Sequence, residues 1–270
     1  MSDKTCIKYS LIHDCSIAVT KVLQLTVMVQ CIGIFLHSSS IGFFTDFLFV
    51  NHSFTYQQAT AVENMFAWVV LALGIAIFIH PVKLLLVLIS VLTFLSAYIQ
   101  IEQGGFPFSS WAIPATASRY AAPLALIFAL NCNKIHLSYW VATLGLCLTF
   151  ATHGIKALLF HPNFIDYIIT SGSNLTGLEI CQSAAEILLA GIGLLDIICA
   201  LAILVYPYKR IFYWMIFWGF ITAFARITEL GIDMYGEFLI RIAHFTLPLV
   251  LLLYFEKEQK HNSIYAPIAQ

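Results

Sequence analysis

Long apolar stretches dominate this chain and most constrain how it can fold. Eight of them are separated by short connections, at residues 19–39, 62–79, 84–102, 113–131, 138–160, 179–206, 211–231 and 238–255. About 20 mostly apolar residues are needed for a helix to cross a bilayer. The stretches are continuous and lack the period-two alternation of a β-barrel, and lipid cannot satisfy open backbone groups. We therefore predict an all-α integral membrane protein with about eight transmembrane helices.

The composition agrees with a lipid environment. The chain is 60% hydrophobic and 10% charged, whereas soluble domains average roughly 25% charged residues. The formal net charge of −1 offers no electrostatic basis for binding nucleic acid. The seven cysteines are scattered without a Cys-x-x-Cys pair, which argues against a disulfide framework or a zinc site. We expect the lipid bilayer to be the main partner of this chain.

The basic residues predict an orientation in the membrane. Lys and Arg precede the first stretch, occupy the even-numbered connections and follow the last stretch, at Lys4, Lys8, Lys83, Lys134, Lys209, Arg210, Lys257 and Lys260. The odd-numbered connections have neither residue, at 41–60, 103–112, 161–178 and 232–237. The positive-inside rule then places both termini in the cytoplasm. A bacterial inner membrane is the favoured location of this multi-pass chain.

The two halves of the sequence resemble each other. Arg119 followed by a Pro-Leu-x-Leu run parallels Arg241 followed by another such run, and His80-Pro-Val-Lys parallels Tyr206-Pro-Tyr-Lys. An even number of spans per half makes the copies parallel. We predict two tandem parallel four-helix bundles, at residues 19–132 and 133–256. A cytoplasmic N-terminal segment (1–18) and a cytoplasmic C-terminal tail (257–270) flank them.

Ionisable residues inside the second bundle form a layer. His153, Glu186, Arg226 and His244 lie on four different spans, roughly 8–11 Å below the outer boundary at 1.5 Å per residue. Such groups are costly in a membrane and by default mark function. The first bundle lacks the histidines, because His244 corresponds to Ala122. The sequence thus predicts an outward-facing polar pocket in the second bundle, with the first bundle mainly as scaffold.

We assign candidate roles within this pocket by residue type. The candidate catalytic residues are His153, Glu186 and His244, because histidine exchanges protons near physiological pH. The candidate substrate-binding residues are Lys156, Asp196, Trp218, Arg226, Glu229 and Arg241. The histidines could also ligate a haem or, with Glu186, a metal ion. Structural hydrogen bonds and an intramembrane ion pair are the competing interpretations.

Short motifs in the second half resemble the DoxX-like family of small membrane proteins. They are Gly193-Leu-Leu-Asp196-Ile-Ile followed by a basic turn, the Arg241 to Pro248-Leu-x-Leu ending, and His153-Gly-Ile-Lys156-Ala-Leu. The resemblance covers residues 138–255 and, more faintly, 19–131. It implies a four-helix bundle and, for relatives of the thiosulfate:quinone oxidoreductase membrane subunit, quinone-linked redox chemistry. This chain departs from the family by duplicating the unit and lacking a paired-cysteine motif.

Two classes of function follow from these observations. The first is a quinone-linked or cofactor-binding oxidoreductase component, with quinone or haem as the cofactor and a membrane or redox protein as a possible partner. The alternative is a non-catalytic small-molecule transporter, receptor or assembly subunit. Both classes bind a small-molecule ligand in the same pocket. Asn51 and Asn174 also match the glycosylation pattern in predicted outer connections.

Overall fold

The computed structural model describes the backbone of residues 3–265 and the side chains of residues 17–259, and within them it is all-helical. Twelve α-helices follow one another in this part of the chain. They are α1 Asp3–Ser40, α2 Thr45–Asn51, α3 Tyr56–Ile79, α4 Lys83–Gln103, α5 Ala112–Ala115, α6 Ala117–Ala129, α7 Ile135–Leu158, α8 Pro162–Thr176, α9 Gln182–Val205, α10 Lys209–Leu230, α11 Tyr235–Ile240 and α12 Ala243–Tyr265. The prediction of an all-α fold is confirmed.

Six of these helices are long and apolar enough to cross a membrane, namely α1, α3, α4, α7, α9 and α10. A seventh candidate is the pair of α11 and α12, which is bent by 42° at a short break. The predicted span at 113–131 is instead divided between α5 and the 13-residue α6. The multi-pass character is thus supported, while the count of eight spans stays a prediction.

Helices α1, α6, α7 and α12 form the centre of the bundle. Their inward faces carry fully buried leucines, including Leu23, Leu126, Leu146 and Leu251. Helices α3, α4, α9 and α10 pack around this centre, with α3 on α1, α4 on α6, α9 on α7 and α10 on α12. Their outward faces expose large apolar side chains, which suits contact with lipid tails rather than water.

Two short helices lie between long ones at the same end of the bundle. Helix α2 follows α1, and α8 follows α7. The carboxylate of Glu63, on α3, accepts the backbone amides of Phe44 and Thr45, so it holds the start of α2. Helix α8 is fastened to α10, because Ser171 Oγ lies 2.7 Å from Thr228 Oγ1 and Asn174 Nδ2 donates to the Thr228 carbonyl. This end of the bundle also contains the connections predicted to face outward, and we call it the predicted outer end.

Breaks in two helices position functional side chains at the predicted outer end. The first break is Thr116, between α5 and α6, and the second is at Arg241, between α11 and α12. The Thr116 hydroxyl donates to the Ala112 carbonyl and so satisfies part of the interrupted backbone. Arg119 lies about one turn after the first break, and Arg241 is the residue at the second break. Both arginines therefore enter the bundle at one depth.

The basic residues of the predicted inner connections lie together at one end of the bundle. Lys83, Lys134, Lys209 and Arg210 are exposed at the starts of α4, α7 and α10, opposite the predicted outer end. The side chains of Lys4, Lys8 and Lys260 lie outside the described residues. The cytoplasmic placement of both termini therefore stays a prediction.

Cysteine labelling tests this orientation. Cys181 is exposed just before α9 at the predicted outer end, and Cys132 is exposed at the opposite end. Hydrogen bonds to Ser183 and to the Ala184 amide lower the pKa of the Cys181 thiol, which favours the reactive thiolate. In right-side-out vesicles, we expect a membrane-impermeant maleimide to label a variant retaining only Cys181. A variant retaining only Cys132 should react only after permeabilisation, and one retaining buried Cys31 should not react in either case. The reverse pattern for Cys181 and Cys132 would invert the predicted orientation.

Candidate functional site

A polar chamber of about 630 Å³ lies at the predicted outer end, between the two halves of the chain. Four cationic side chains line it, and among the described residues its wall contains no Asp or Glu. The cations are Arg119 on α6, Lys156 on α7, Arg226 on α10 and Arg241 between α11 and α12. The chamber is therefore strongly electropositive.

Three of these cations lack an ionic partner. Arg119, Lys156 and Arg226 are only 8%, 9% and 7% exposed, and none forms an ion pair with a described carboxylate. The Nε atoms of Arg119 and Arg226 also have no hydrogen-bond partner among the described residues. A buried unpaired charge is strongly unfavourable. The fold therefore contains three buried cations whose charge no described carboxylate offsets by an ion pair.

Arg241 differs because it is paired. Its Nη1 donates to the Glu237 carboxylate and, at 2.8 Å, to the Glu237 carbonyl one helical turn earlier. The other oxygen of Glu237 lies 3.0 Å from Nδ1 of His37, on α1. Glu237 thus lies between Arg241 and α1 and neutralises one of the four cations. The chamber wall keeps a surplus of positive charge.

His161 adds no charge to the chamber at physiological pH. It lies in the connection between α7 and α8, where its ring stacks on Phe164 with centroids 4.8 Å apart. Burial, helped by the charges of Lys156 and Arg226, lowers the pKa of His161 to about 4. Its imidazole is therefore neutral near pH 7 and can accept or donate a hydrogen bond without changing the electrostatics.

An apolar chamber of about 280 Å³ adjoins the polar one. Helices α7, α8, α9 and α10 supply most of its wall, and every lining residue belongs to the second half of the chain. Helix α8 contributes a stripe at helical spacing, Phe164, Ile168, Ser171 and Leu175. The two chambers share the wall residues His153, Phe164, Tyr167, Arg226 and Arg241. They are therefore two parts of one site.

Arg226 and Tyr167 stand where the chambers meet. The Arg226 guanidinium carbon lies 3.6 Å from the centroid of the Tyr167 ring, a close cation–π contact. This contact stabilises the cation without neutralising it. Arg226 therefore remains positively charged, and the Tyr167 ring beside it forms part of the wall of the apolar chamber.

The predicted histidines meet in the apolar chamber. The rings of His153 and His244 are 5.7 Å apart, centroid to centroid. Nδ1 of His153 bonds the Thr149 carbonyl at 2.8 Å, whereas Nε2 of His244 is buried without a partner among the described residues. Asp196 also lines this chamber, and its buried Oδ1 likewise lacks a partner there. With Nε of Arg226, three buried polar atoms on the wall of this mainly apolar chamber have no hydrogen-bond partner among the described residues.

The structure brings together seven of the nine predicted site residues. His153, Asp196, Trp218, Arg226, Arg241 and His244 line the apolar chamber, and Lys156 lines the polar one. Glu186 lies outside both and accepts a 2.8 Å hydrogen bond from Gln182. Glu229 also lies outside both walls. No group of three or more His, Cys, Asp or Glu side chains converges as a metal-ion site within the described part of the chain.

Sequence reasoning missed two charged residues of this site. Arg119 belongs to the half predicted to be mainly scaffold, although its match to Arg241 in the repeat is a signal that it could occupy an equivalent position. Glu237 falls at the end of the predicted outer connection 232–237, but it lies on α11 with a side chain only 19% exposed. The polar chamber therefore draws on both halves of the chain, not on the second alone.

Removing the Glu237 carboxylate should destabilise the protein. Glu237→Gln leaves Arg241 unpaired beside three other cations, and breaking a buried pair costs about 3–5 kcal/mol. The matched control is Glu186→Gln, whose carboxylate bonds only a neighbouring glutamine on its own helix. We expect thermal unfolding in detergent to show a clear loss of stability for E237Q and little change for E186Q. Equal unfolding temperatures for the two variants would contradict the role assigned to Glu237.

Comparison with known proteins identifies no family for this chain, since no protein-family model, curated protein or solved structure matches it. Its function must therefore be inferred from the two chambers and the helices that form them.

Proposed function

We propose that this chain is a multi-pass membrane protein that binds an anionic small molecule in the polar chamber. The observation that carries the proposal is the cluster of Arg119, Lys156, Arg226 and Arg241 around one cavity, with a single ion-paired carboxylate beside it. Guanidinium groups bind carboxylates and phosphates through strong charge-assisted hydrogen bonds. A non-catalytic transporter or receptor is the class that this arrangement suits best.

The proposal includes eight spans arranged as two tandem units, residues 19–132 and 133–256. Support comes from equivalent helix contacts in the two halves. Helix α1 packs on α3 and α6 as α7 packs on α9 and α12, and α4 packs on α6 as α10 packs on α12. In each half a short helix follows the first long one, and a broken helix comes last. Helices α5 with α6, and α11 with α12, would be the fourth and eighth spans.

We also propose membership of the DoxX-like family, a bacterial inner membrane as location and cytoplasmic termini. The repeated four-helix pattern supports the family, and the exposed basic residues at one end of the bundle support the orientation. A catalytic role for Glu186 and a substrate-binding role for Glu229 are part of the same proposal. Both side chains lie outside the chamber walls.

Multivalent anions should stabilise the protein through the polar chamber. We expect pyrophosphate, compared with chloride at equal ionic strength, to raise the unfolding temperature of wild-type protein in detergent by several degrees, since a ligand stabilises the state that binds it. Arg226→Gln should abolish this shift. Without anion, R226Q should unfold at the same or a higher temperature than wild type, because it removes an unpaired buried charge.

Arg210→Gln is the matched control for this experiment. Arg210 lies on the same helix as Arg226 but is exposed at the opposite end. R210Q should keep the full pyrophosphate shift. The proposal fails if pyrophosphate leaves the wild type unchanged, or if it stabilises R226Q as much as R210Q.

A quinone-linked or haem-linked redox role is the second candidate. It is favoured by the adjacent rings of His153 and His244 and by the unpartnered Nε2 of His244. A quinone could accept a hydrogen bond from His244 and lie against Trp218, whose ring stacks on Trp214 with centroids 5.9 Å apart. Haem would instead use the imidazoles as axial ligands.

An absorption spectrum before and after dithionite tests the haem form of this candidate. If haem is bound, purified protein shows a Soret band that shifts on reduction and disappears in His244→Ala. The control His136→Ala, at an exposed histidine hydrogen-bonded to Trp140, should retain the band. A colourless wild-type preparation would refute axial ligation by His153 and His244.

A further inference from the structure

We infer that the ligand is a single-chain anionic amphiphile, with its head in the polar chamber and its hydrocarbon tail in the apolar chamber. This inference rests on the proposed anion-binding function and specifies the ligand class. Neither chamber alone points to such a molecule. The juxtaposition of the two does, because a cationic cavity opens beside a small apolar one through a shared wall.

The head-group end is defined by cations that no described residue neutralises. Arg119 and Arg226 are more than nine-tenths buried, and both line the polar chamber with unpartnered Nε atoms. A carboxylate or phosphate placed here would satisfy groups that the fold leaves open.

The tail end is defined by aliphatic and aromatic side chains. Leu189 and Ile192 on α9, Ile221 on α10 and Phe150 on α7 face the same cavity. At about 280 Å³ the space is small, which favours one chain over the two chains of a bilayer phospholipid. Moving each methylene group of a hydrocarbon chain from water into this chamber would lower the free energy of binding.

The boundary between the two ends orients the molecule. Arg226 and Tyr167 lie on both walls, and their contact places the last cation directly beside the first large apolar ring. A ligand that reversed its head and tail would bury its anion beside Asp196. The arrangement therefore allows one orientation, with the head toward the predicted outer end and the tail toward the bilayer midplane.

A chain-length series tests the inference. Calorimetric titrations would compare pyrophosphate, butyrate, decanoate and decyltrimethylammonium on protein in a non-ionic amphipol, so that neither a detergent nor a carboxylate polymer competes for the chambers. We expect decanoate to bind at least about tenfold more tightly than butyrate, well within what the added methylenes can supply. Decyltrimethylammonium should not bind, because the chamber repels cations.

Adjacent leucines on α9 provide a matched pair of variants. Leu189 lines the apolar chamber and is 3% exposed, whereas Leu188 is 53% exposed and outside the wall. Leu189→Trp should reduce the preference for decanoate over butyrate to within about twofold while pyrophosphate binding persists. Leu188→Trp should behave like wild type. If L189W fails to fold, the chain-length series on wild type still decides the question.

The outcomes separate the two proposals. Equal affinities for butyrate and decanoate, with pyrophosphate still bound, would overturn the amphiphile and leave the anion site standing. If the wild-type protein bound none of pyrophosphate, butyrate and decanoate, the proposed function itself would be refuted. Tight binding of decyltrimethylammonium would overturn the assignment of the head group. If a two-chain phosphatidate displaced decanoate and bound with the same affinity, the single-chain assignment would be overturned in favour of a bilayer lipid.

Discussion

The burial of like charges at one level of the bundle is the constraint on which the rest of the structure depends. Arg119, Arg226 and Arg241 enter this level from three different helical segments, and Lys156 joins them from α7. In a poorly polar interior such charges are both desolvated and mutually repulsive. Glu237 offsets only part of this cost, by pairing with Arg241. Favourable packing elsewhere in the fold must therefore offset the repulsion and desolvation of the remaining cations.

Close helix packing supplies that support. Within a membrane, helices associate largely through van der Waals contact at small residues that let backbones approach. Gly219 allows α10 to approach the backbone of His244, and Gly236 does the same for α11 against His37, since a Cβ at either glycine would meet backbone atoms at 2.5 and 2.9 Å. These contacts hold α10, α11 and α12 beside α1. The cations therefore stay together although they repel one another.

The sequence predicts the long helices and most of the site, but not its full extent. Apolar length and the polar layer suffice to identify the all-α membrane fold and to place His153, Arg226 and His244 at one depth. Depth alone does not tell which way a side chain points around its helix axis. The depth argument therefore includes Glu186, whose side chain bonds Gln182 instead of facing the chambers. The break at Thr116 was also hidden within an apolar run, because composition does not register a local change of backbone dihedrals. Glu237 lies on α11, and a helix of six residues is too short to be distinguished from a connection by apolar length.

The asymmetry between the halves explains why the site has two chambers. If the halves are copies, as proposed, Arg119 and Arg241 are equivalent residues that meet across the junction and supply the same charge from each side. His244, by contrast, corresponds to Ala122, which is fully buried. The polar chamber accordingly has walls from both halves, whereas the apolar chamber is lined only by the second. Only Arg119 and Arg241 occupy positions that the proposed repeat matches, whereas Lys156, Arg226 and the whole wall of the apolar chamber come from the second half.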